Sequence, residues 1–321
     1  MAHQKGSTTI LSVGEEGTPG TAATTGFKLP FNSCTVKGTF NRTTPKTLTG
    51  TRNPVQPFKG NTNVAGDIVI PVDNEALWYW LQLMFGDPTT SGAGDPYSHV
   101  FKVGNTMPYF TLQKAFTDLA TDVFYQAVGC KVSSANIAFG GEDELTLTLS
   151  VIGMNETSES ATAFSSSETT VALDERLNNF DAAVTEGGGA SSIIKSMSIT
   201  IDFGLDGNQR VIGGGGILTS IPEGIVSVTG SITGQYTDGA ETIIAKGPAD
   251  TESALVVTLT SAADSNHTLA FDIGELFYSQ SSPDVNDELG LDFTLDFAGF
   301  YNNDADASVI KVTLANASAH A

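Results

Sequence analysis

The chain contains 321 residues and carries a formal net charge of −21, because 36 Asp and Glu outnumber 15 Lys and Arg. This acidic balance repels the phosphate backbone and argues against a protein that grips or reads nucleic acid. No stretch approaches the roughly 18 to 20 uncharged apolar residues of a membrane span, and the segment MAHQKGSTTI lacks the apolar centre of a signal peptide, so we expect a soluble chain that folds where it is made.

The composition predicts a mainly β protein. Gly is abundant at 34 residues, and Val, Ile, Thr and Phe recur in alternating runs, which is typical of sheets joined by tight turns. The length suits two ordinary domains or one large domain. Cys34 and Cys130 are too few to staple a secreted fold of this size, and although the sequence does not decide their pairing, we expect buried free thiols.

The first half opens with residues 1–32, where Gly, Thr and Pro without an apolar period predict an extended arm. Strands are predicted over 33–41 and 64–70. Asp73 or Asn74 is expected to cap a helix over 76–85 that Gly86 and Pro88 end. Because its three neighbouring aromatic residues cannot share one narrow face, this helix should pack against more than one surface.

Two further strands, over 123–134 and 144–152, are predicted to form a hairpin around the turn at 140–143. The segment 155–170 has few large apolar residues and cannot offset the entropy of ordering by burial, so it marks a boundary. A short helical piece is expected over 174–183, and strands resume over 193–203.

The resulting domain boundaries are 1–158 for a first β domain with its arm, 159–180 for a linker, and 181–321 for a second β domain.

The two halves repeat the same landmarks in the same order. The pattern V-x-G-x-I at 64–68 recurs at 228–232, and its central glycines, Gly66 and Gly230, are expected at a bulge or a close backbone approach. An upstream strand and a capped helix match at offsets of 163 and 165 residues, and each half closes with an alternating strand that begins with an acidic residue. This order of landmarks indicates an internal duplication. The alternative is that generic antiparallel domains share alternation and glycine turns.

The sequence presents no catalytic, cofactor or metal motif. The four histidines are isolated along the chain, the run Gly213–Gly216 lacks the Lys-Ser/Thr of a phosphate loop, and the carboxylates at 142–144 fit a solvated turn. The segment 302–306 is only a weak calcium candidate, since it lacks the glycine and distal glutamate of an EF-hand loop. We therefore expect a protein that is not an enzyme and needs no cofactor. The histidines are His3, His99, His267 and His320.

Several segments resemble the major tail tube proteins of long non-contractile-tailed phages, the siphovirus tail tube family. They are FYQAVGCKVSS at 124–134 with SVIGM at 150–154, SMSITIDFGL at 196–205 leading to VTGSI at 228–232, and the opening VGEEGTPGT at 13–21. The resemblance implies a mainly β fold with two tandem tail-tube-like β-sandwich or barrel domains, each with one flanking α-helix. It also implies a structural virion protein of the tail, assembled in the host cytoplasm.

This resemblance sets the expected partners. The chain should associate with itself in stacked rings, and the internal repeat favours trimeric rings with pseudo-sixfold symmetry over the alternative of hexameric rings. The tape measure protein and DNA would occupy the lumen without sequence recognition, and other tail proteins would bind the tube ends. No membrane partner is expected.

Contacts between rings are predicted in the loop between Asn41 and Gly60, which holds 4 of the 15 basic residues together with stiffening prolines and an aromatic anchor. The alternative is a solvated loop that moderates overall repulsion. The repeat counterpart at 204–224 offers an apolar contact instead. The contact candidates are Arg42, Pro45, Lys46, Arg52, Phe58 and Lys59 in the first loop and Ile212, Ile217, Leu218 and Ile221 in the second.

Two other functions are weighed against the tail tube. A virion decoration or host-attachment module is the main alternative, because β-sandwiches carry many functions. A carbohydrate-active enzyme would need two carboxylates flanking a cleft, and nothing in the sequence marks such a pair.

Overall fold

A computed structural model describes residues 3–157, 159–280, 282–283, 285, 289–302 and 307–320. Its described part is mainly β, as predicted, with 20 strands and two helices, α1 (Ala76–Phe85) and α2 (Ala240–Ile244). The first strands are β1 (Ile10–Glu15), β2 (Gly26–Leu29), β3 (Ser33–Cys34), β4 (Lys37–Thr43), β5 (Phe58–Pro71), β6 (Thr89–Ser91), β7 (Tyr97–Lys102), β8 (Phe110–Phe116), β9 (Val123–Phe139), β10 (Thr146–Gly153) and β11 (Asn155–Glu156). The others are β12 (Glu168–Thr170), β13 (Ala182–Glu186), β14 (Gly189–Ala190), β15 (Ile194–Asp202), β16 (Ser227–Gln235), β17 (Ser253–Thr260), β18 (Thr268–Tyr278), β19 (Asp292–Gly299) and β20 (Lys311–Asn316).

The largest feature is one long antiparallel sheet that runs through both halves of the chain. Its strands pair in the order β4, β5, β10, β9, β15, β16 and β19, and the end of β18 pairs with β19. The pairing of β9 with β15 joins the first half to the second, with Ile137 opposite Ile199. The two halves therefore share a backbone ladder and are not linked by a flexible segment alone.

Both halves show the same order of strand pairing. In the first half, β4, β5, β10, β9, β8 and β1 are successive neighbours. In the second half, the corresponding order is β15, β16, β19, β18, β17 and β13. A helix follows the second of these strands in each half, and the first half additionally contains β6 and β7, of which β7 pairs with β20.

The strand register near Gly66 and Gly230 agrees with the internal repeat. Residue 64 lies opposite residue 38 in β4, and residue 228 lies opposite residue 201 in β15. A Cβ atom on Gly66 would lie 2.6 Å from the backbone oxygen of Thr35, and one on Gly230 would lie 2.0 Å from that of Ser198. Both positions need glycine because a neighbouring backbone approaches too closely for a side chain.

One local expectation fails. The segment 174–183 is not helical, because the side-chain oxygen of Asn178 accepts hydrogen bonds from the backbone N–H groups of Phe180 and Asp181 and turns the chain. Strand β13 follows directly and pairs with β17. The predicted linker is also partly ordered, since β12 pairs in parallel with β2.

Helix α1 is buried against several strands, as its aromatic residues predicted. Trp78 packs edge-on against Phe101 of β7, and Phe85 packs similarly against Phe203 beyond β15, at ring separations of 6.4 and 5.7 Å. Trp80 is 1% exposed. No helix in the described residues is long and apolar enough to cross a membrane. Both cysteines are free thiols, as expected, although Cys34 is only half-buried.

Asp73 fixes the start of α1. Its Oδ1 atom accepts a hydrogen bond of 3.0 Å from the backbone N–H of Leu77, which satisfies one of the free amides at the helix N-terminus. The carboxyl group is fully buried. Burial raises its pKa to about 6, although hydrogen bonds from the backbone of Leu77, Asp174 and Ala76 act in the opposite direction.

We expect an Asp73→Asn variant to lose a pH-dependent part of the free energy of unfolding. A carboxyl group whose pKa rises on folding holds its proton more tightly in the native state, so its contribution is full below about pH 4 and is lost as the pH rises through about 6. Wild-type protein should therefore lose on the order of 2 kcal/mol relative to the variant between about pH 4 and pH 7, measured by urea unfolding.

The exposed repeat counterpart provides the control for this experiment. Asp238→Asn should change the free energy of unfolding by less than about 0.5 kcal/mol, since Asp238 lies in solvent. Identical profiles for wild type and Asp73→Asn would contradict the burial of a perturbed carboxyl group at residue 73.

Candidate functional surfaces

The long sheet has one apolar and one polar face. Successive side chains of a strand point to opposite faces. Buried residues alternate along β10 and over 293–297 of β19, and the same alternation holds over 197–201 of β15 and for Val228, Ile232 and Gly234 of β16. The intervening positions carry mostly Ser, Thr, Asn and Asp. We call this surface the hydroxyl face and define it by Asp67, Asn136, Thr146, Thr148, Ser150, Ser198, Thr200, Ser231, Thr233, Thr294 and Asp296.

Side-chain hydrogen bonds run across the hydroxyl face from strand to strand. One of them, from Asn136 Nδ2 to Thr200 Oγ1 at 2.7 Å, crosses the pairing of β9 with β15 and so joins the two halves. The others are Ser150 Oγ to Asp67 Oδ1 at 2.7 Å, Ser198 Oγ with Ser231 Oγ at 3.2 Å and Thr233 Oγ1 with Thr294 Oγ1 at 3.1 Å. Short side chains tied in this way project little from the sheet, and at one edge of the face Asn136, Thr146 and Thr148 line a cavity of about 260 Å³.

The charge of the hydroxyl face is negative. Asp202 and Asp292 add to the two aspartates already named. Over β9, β10, β15, β16 and β19, the exposed basic side chain is Lys195, whereas Lys37, Arg42 and Lys59 lie at one end of the face, on β4 and β5. Lys195 is neutralised by Asp292, with 2.6 Å between Nζ and Oδ2. Such a surface offers hydroxyl groups to water and repels a polyanion, because it lacks the clustered cations that hold phosphate.

The second surface lies at one end of the sheet, where β4 and β5 continue into a long hairpin. The basic residues of this hairpin, Arg42, Lys46, Arg52 and Lys59, are all exposed. Leu48 is 97% exposed, and Phe40 and Phe58 are each 56% exposed. Pro45 is half-buried. The hairpin therefore combines unpaired positive charge with exposed apolar groups.

The loop at 204–224 packs beside the base of this hairpin. The backbone N–H of Thr62 donates to Gly216 O at 2.9 Å, and Arg210 Nη2 donates to Asn63 Oδ1 at 2.7 Å. Arg210 consequently holds the two loops together and is not a free docking charge. The structure thus places the two repeat-related loops side by side in one chain, which the sequence offsets did not predict.

The apolar candidates of this loop divide into two groups. Ile212 is fully exposed and Ile217 is half-buried, so both can contact another molecule. Leu218 and Ile221 are 4% and 0% exposed and form a small core with Met154. Leu218 and Ile221 were predicted to contact another molecule, but their side chains are buried within their own chain and are not available for such a contact.

A buried lysine anchors the end of the same loop. Lys131 on β9 is 1% exposed, and its ammonium group pairs with the carboxylate of Glu223 and donates to Ile221 O at 3.0 Å. It also lies 4.0 Å from the ring centre of Tyr109. Burial alone would raise the pKa of Glu223, but the hydrogen bonds from Lys131 and Met107 lower it.

Sequence reasoning missed this anchor because Lys131 and Glu223 are separated by 92 residues. The signal available was a lysine within an otherwise apolar strand pattern, since a buried ammonium group requires a partner. The acidic turn at 142–144 is exposed, and Glu144 pairs with Arg176 Nη1 at 2.7 Å. Residues 303–306 of the calcium candidate lie outside the described residues.

A comparison with protein families gives one match that spans both surfaces. The family model described as phage tail tube protein matches residues 6–317, which is nearly the whole chain. No curated protein matches the chain.

We expect a Lys131→Met variant to loosen the loop at 204–224. Methionine preserves the packing of the lysine stem but leaves the Glu223 carboxylate without its cation, so the free energy of unfolding should fall by about 3 kcal/mol. Backbone amides at 205–224 should exchange faster with deuterium than in the wild type. Lys46→Met, at an exposed hairpin position, should change stability by less than about 0.5 kcal/mol, and an equal effect of both variants would contradict the anchor.

Proposed function

We propose that this chain, which belongs to the phage tail tube protein family, is the major subunit of a long non-contractile tail, where stacked rings enclose a channel for DNA. The hydroxyl face carries this proposal, because a broad, level and acidic surface suits the wall of a channel. Phosphate groups can pass such a wall without the counterion release that makes basic surfaces adhesive. We take the protein to be structural and not enzymatic.

We propose that the chain arose by internal duplication, with domains at 1–158 and 181–321 and a linker at 159–180. The repeated order of strand pairing and the matched crowding at Gly66 and Gly230 support this proposal. Six similar domains in a ring then require three chains, which gives pseudo-sixfold symmetry from true threefold symmetry. Six chains per ring is the alternative arrangement.

The pairing of β9 with β15 offers a template for the contact between neighbouring chains. In the repeat, β4 corresponds to β15 and β18 corresponds to β9. On the described residues, β4 pairs with β5 alone. Its outer edge is only partly open, because the backbone N–H of Gly38 donates to Glu156 Oε2 at 2.6 Å. An antiparallel contact between the end of β18 in one chain and β4 in the next would repeat the internal junction and cover exposed edges that otherwise promote aggregation.

The ring stoichiometry is the first test of this proposal. Purified protein at high concentration should form rings or tubes in negative-stain images, and the mass of a single ring should equal three chains while its density shows six similar lobes. Rings of six chains at equal radius, each with one half outside as an appendage, would refute the three-chain ring. Dispersed monomers under all conditions would refute the tube itself.

We propose that the hairpin between β4 and β5 makes the contact between stacked rings. Its exposed cations and its exposed Phe58 and Leu48 face solvent at one end of the sheet, and the adjacent loop adds Ile212. In the assembled tail, the other partners would be the tape measure protein in the lumen and further tail proteins at the tube ends. Assembly would take place in the host cytoplasm, with the virion tail as the final location.

We expect the combined replacement of Arg42, Lys46, Arg52 and Lys59 by Ser to give folded subunits that polymerise poorly. Each exposed ion pair contributes only about 0.2 to 1 kcal/mol, but several pairs act together in registering two rings, and salt should weaken them. Tube length and yield would be compared at low and high salt.

A charge-retaining variant provides the matched control for this experiment. Arg42→Lys with Arg52→Lys should polymerise almost as well as the wild type, because the positive charge is retained. Normal tube length and yield for the Ser variant at both salt concentrations would remove the hairpin from the stacking contact.

A further inference from the structure

Three segments that are distant in sequence meet beside the turn between β17 and β18. The turn itself contributes Asp264 and His267, the connection between β6 and β7 contributes Asp95, and the segment before β13 contributes Glu175. None of these four residues is among the hydroxyl face residues or the hairpin residues named above. It belongs to neither proposed assembly surface.

The donor atoms of the cluster have the spacing of a metal site. One donor atom each from Asp95, Asp264 and His267 can be chosen so that all three lie within 4.8 Å of one another. His267 Nε2 and Asp95 Oδ1 are 2.8 Å apart. Two ligands about 2.1 Å from a tetrahedral zinc ion are separated by roughly 3.4 Å, so these two atoms would have to move apart by roughly 0.6 Å to admit an ion.

The surrounding groups hold these side chains in place. The other imidazole nitrogen, His267 Nδ1, lies 3.4 Å from Glu175 Oε2, and Ser261 Oγ donates to the same carboxylate oxygen at 2.5 Å. Asp264 Oδ1 accepts hydrogen bonds of 2.9 Å from both the backbone and the side-chain nitrogen of Asn266. A carboxylate behind a ligating histidine fixes the ring orientation, which is a recurrent feature of metal sites in proteins.

We propose that Asp95, Asp264 and His267 bind a divalent transition-metal ion such as Zn²⁺, with Glu175 orienting the imidazole ring. A nitrogen ligand with two carboxylates favours zinc over calcium or magnesium, which prefer oxygen ligands alone. His267 is 8% exposed whereas the side chain of Asp95 is 54% exposed, so the ion has a route from solvent and water can complete its coordination. The ion would connect both halves of the chain.

Isothermal titration of the full chain with ZnCl₂ tests the site. We expect one Zn²⁺ per chain, no comparable binding of Ca²⁺ or Mg²⁺, and an increase in melting temperature that EDTA reverses. Asp264→Asn and His267→Ala should each weaken zinc binding at least about tenfold, and Glu175→Ala should weaken it about tenfold through loss of ring orientation. Asp264→Asn preserves side-chain size and hydrogen-bonding capacity, so it tests the site even if His267→Ala does not fold.

The control variant is His320→Ala, because His320 lies near a second histidine, His99, with 5.3 Å between ring centres. Unchanged zinc affinity in this variant, together with loss in the Asp264 and His267 variants, would support the proposal. Undiminished binding in Asp264→Asn, loss in His320→Ala alone, or no zinc binding by the wild type at millimolar concentration would overturn it. In that last case, His267 serves only as an ion-pair partner of Asp95 and Glu175.

Discussion

The antiparallel pairing of β9 with β15 is the interaction on which the rest of the structure depends. It makes a single sheet from two halves, with Ile137 opposite Ile199 on the apolar side and Asn136 bonded to Thr200 on the other. Backbone hydrogen bonds in a ladder fix both distance and register, which a flexible linker between two domains does not. The hydroxyl face is continuous because this ladder is continuous, and the proposed ring closure repeats it between chains.

One face of this sheet forms the hydrophobic core and the other is exposed, because successive side chains of a strand point to opposite faces. On the apolar side, residues such as Leu149 and Leu295 are excluded from water in the hydrophobic core. On the polar side, short hydroxyl and carboxylate side chains leave the surface level and negatively charged. A shift of one residue in register would exchange the faces, so the buried core indirectly secures the surface that is proposed to face DNA.

Polar contacts between residues that are far apart in the sequence hold the segments at the end of the sheet in place. Lys131 holds Glu223, and Arg210 holds Asn63, so the loop at 204–224 is fastened both to β9 and to the base of the hairpin. Both contacts are charge-assisted, and the first is buried, where an ammonium group without its partner is costly. The cations at the hairpin tip remain exposed. The residues that hold the loop in place are therefore different from the residues that are proposed to contact the next ring.

The sequence by itself determined the mainly β class, helix α1 with its Asp73 cap, the hairpin of β9 with β10 and the crowded position of Gly66, because alternation, capping and glycine requirements act over a few residues. It also determined that the basic hairpin residues would be exposed, since charge avoids burial. Only the tertiary structure decided that Leu218 and Ile221 are core, that the segment at 174–183 turns instead of forming a helix, and that Asp95 lies beside His267. The first and the last of these outcomes depend on which segments distant in sequence meet, and such contacts leave no periodic signal in the sequence. The turn at 174–183 depends on the side chain of Asn178, whose local hydrogen bonds compete with a helix.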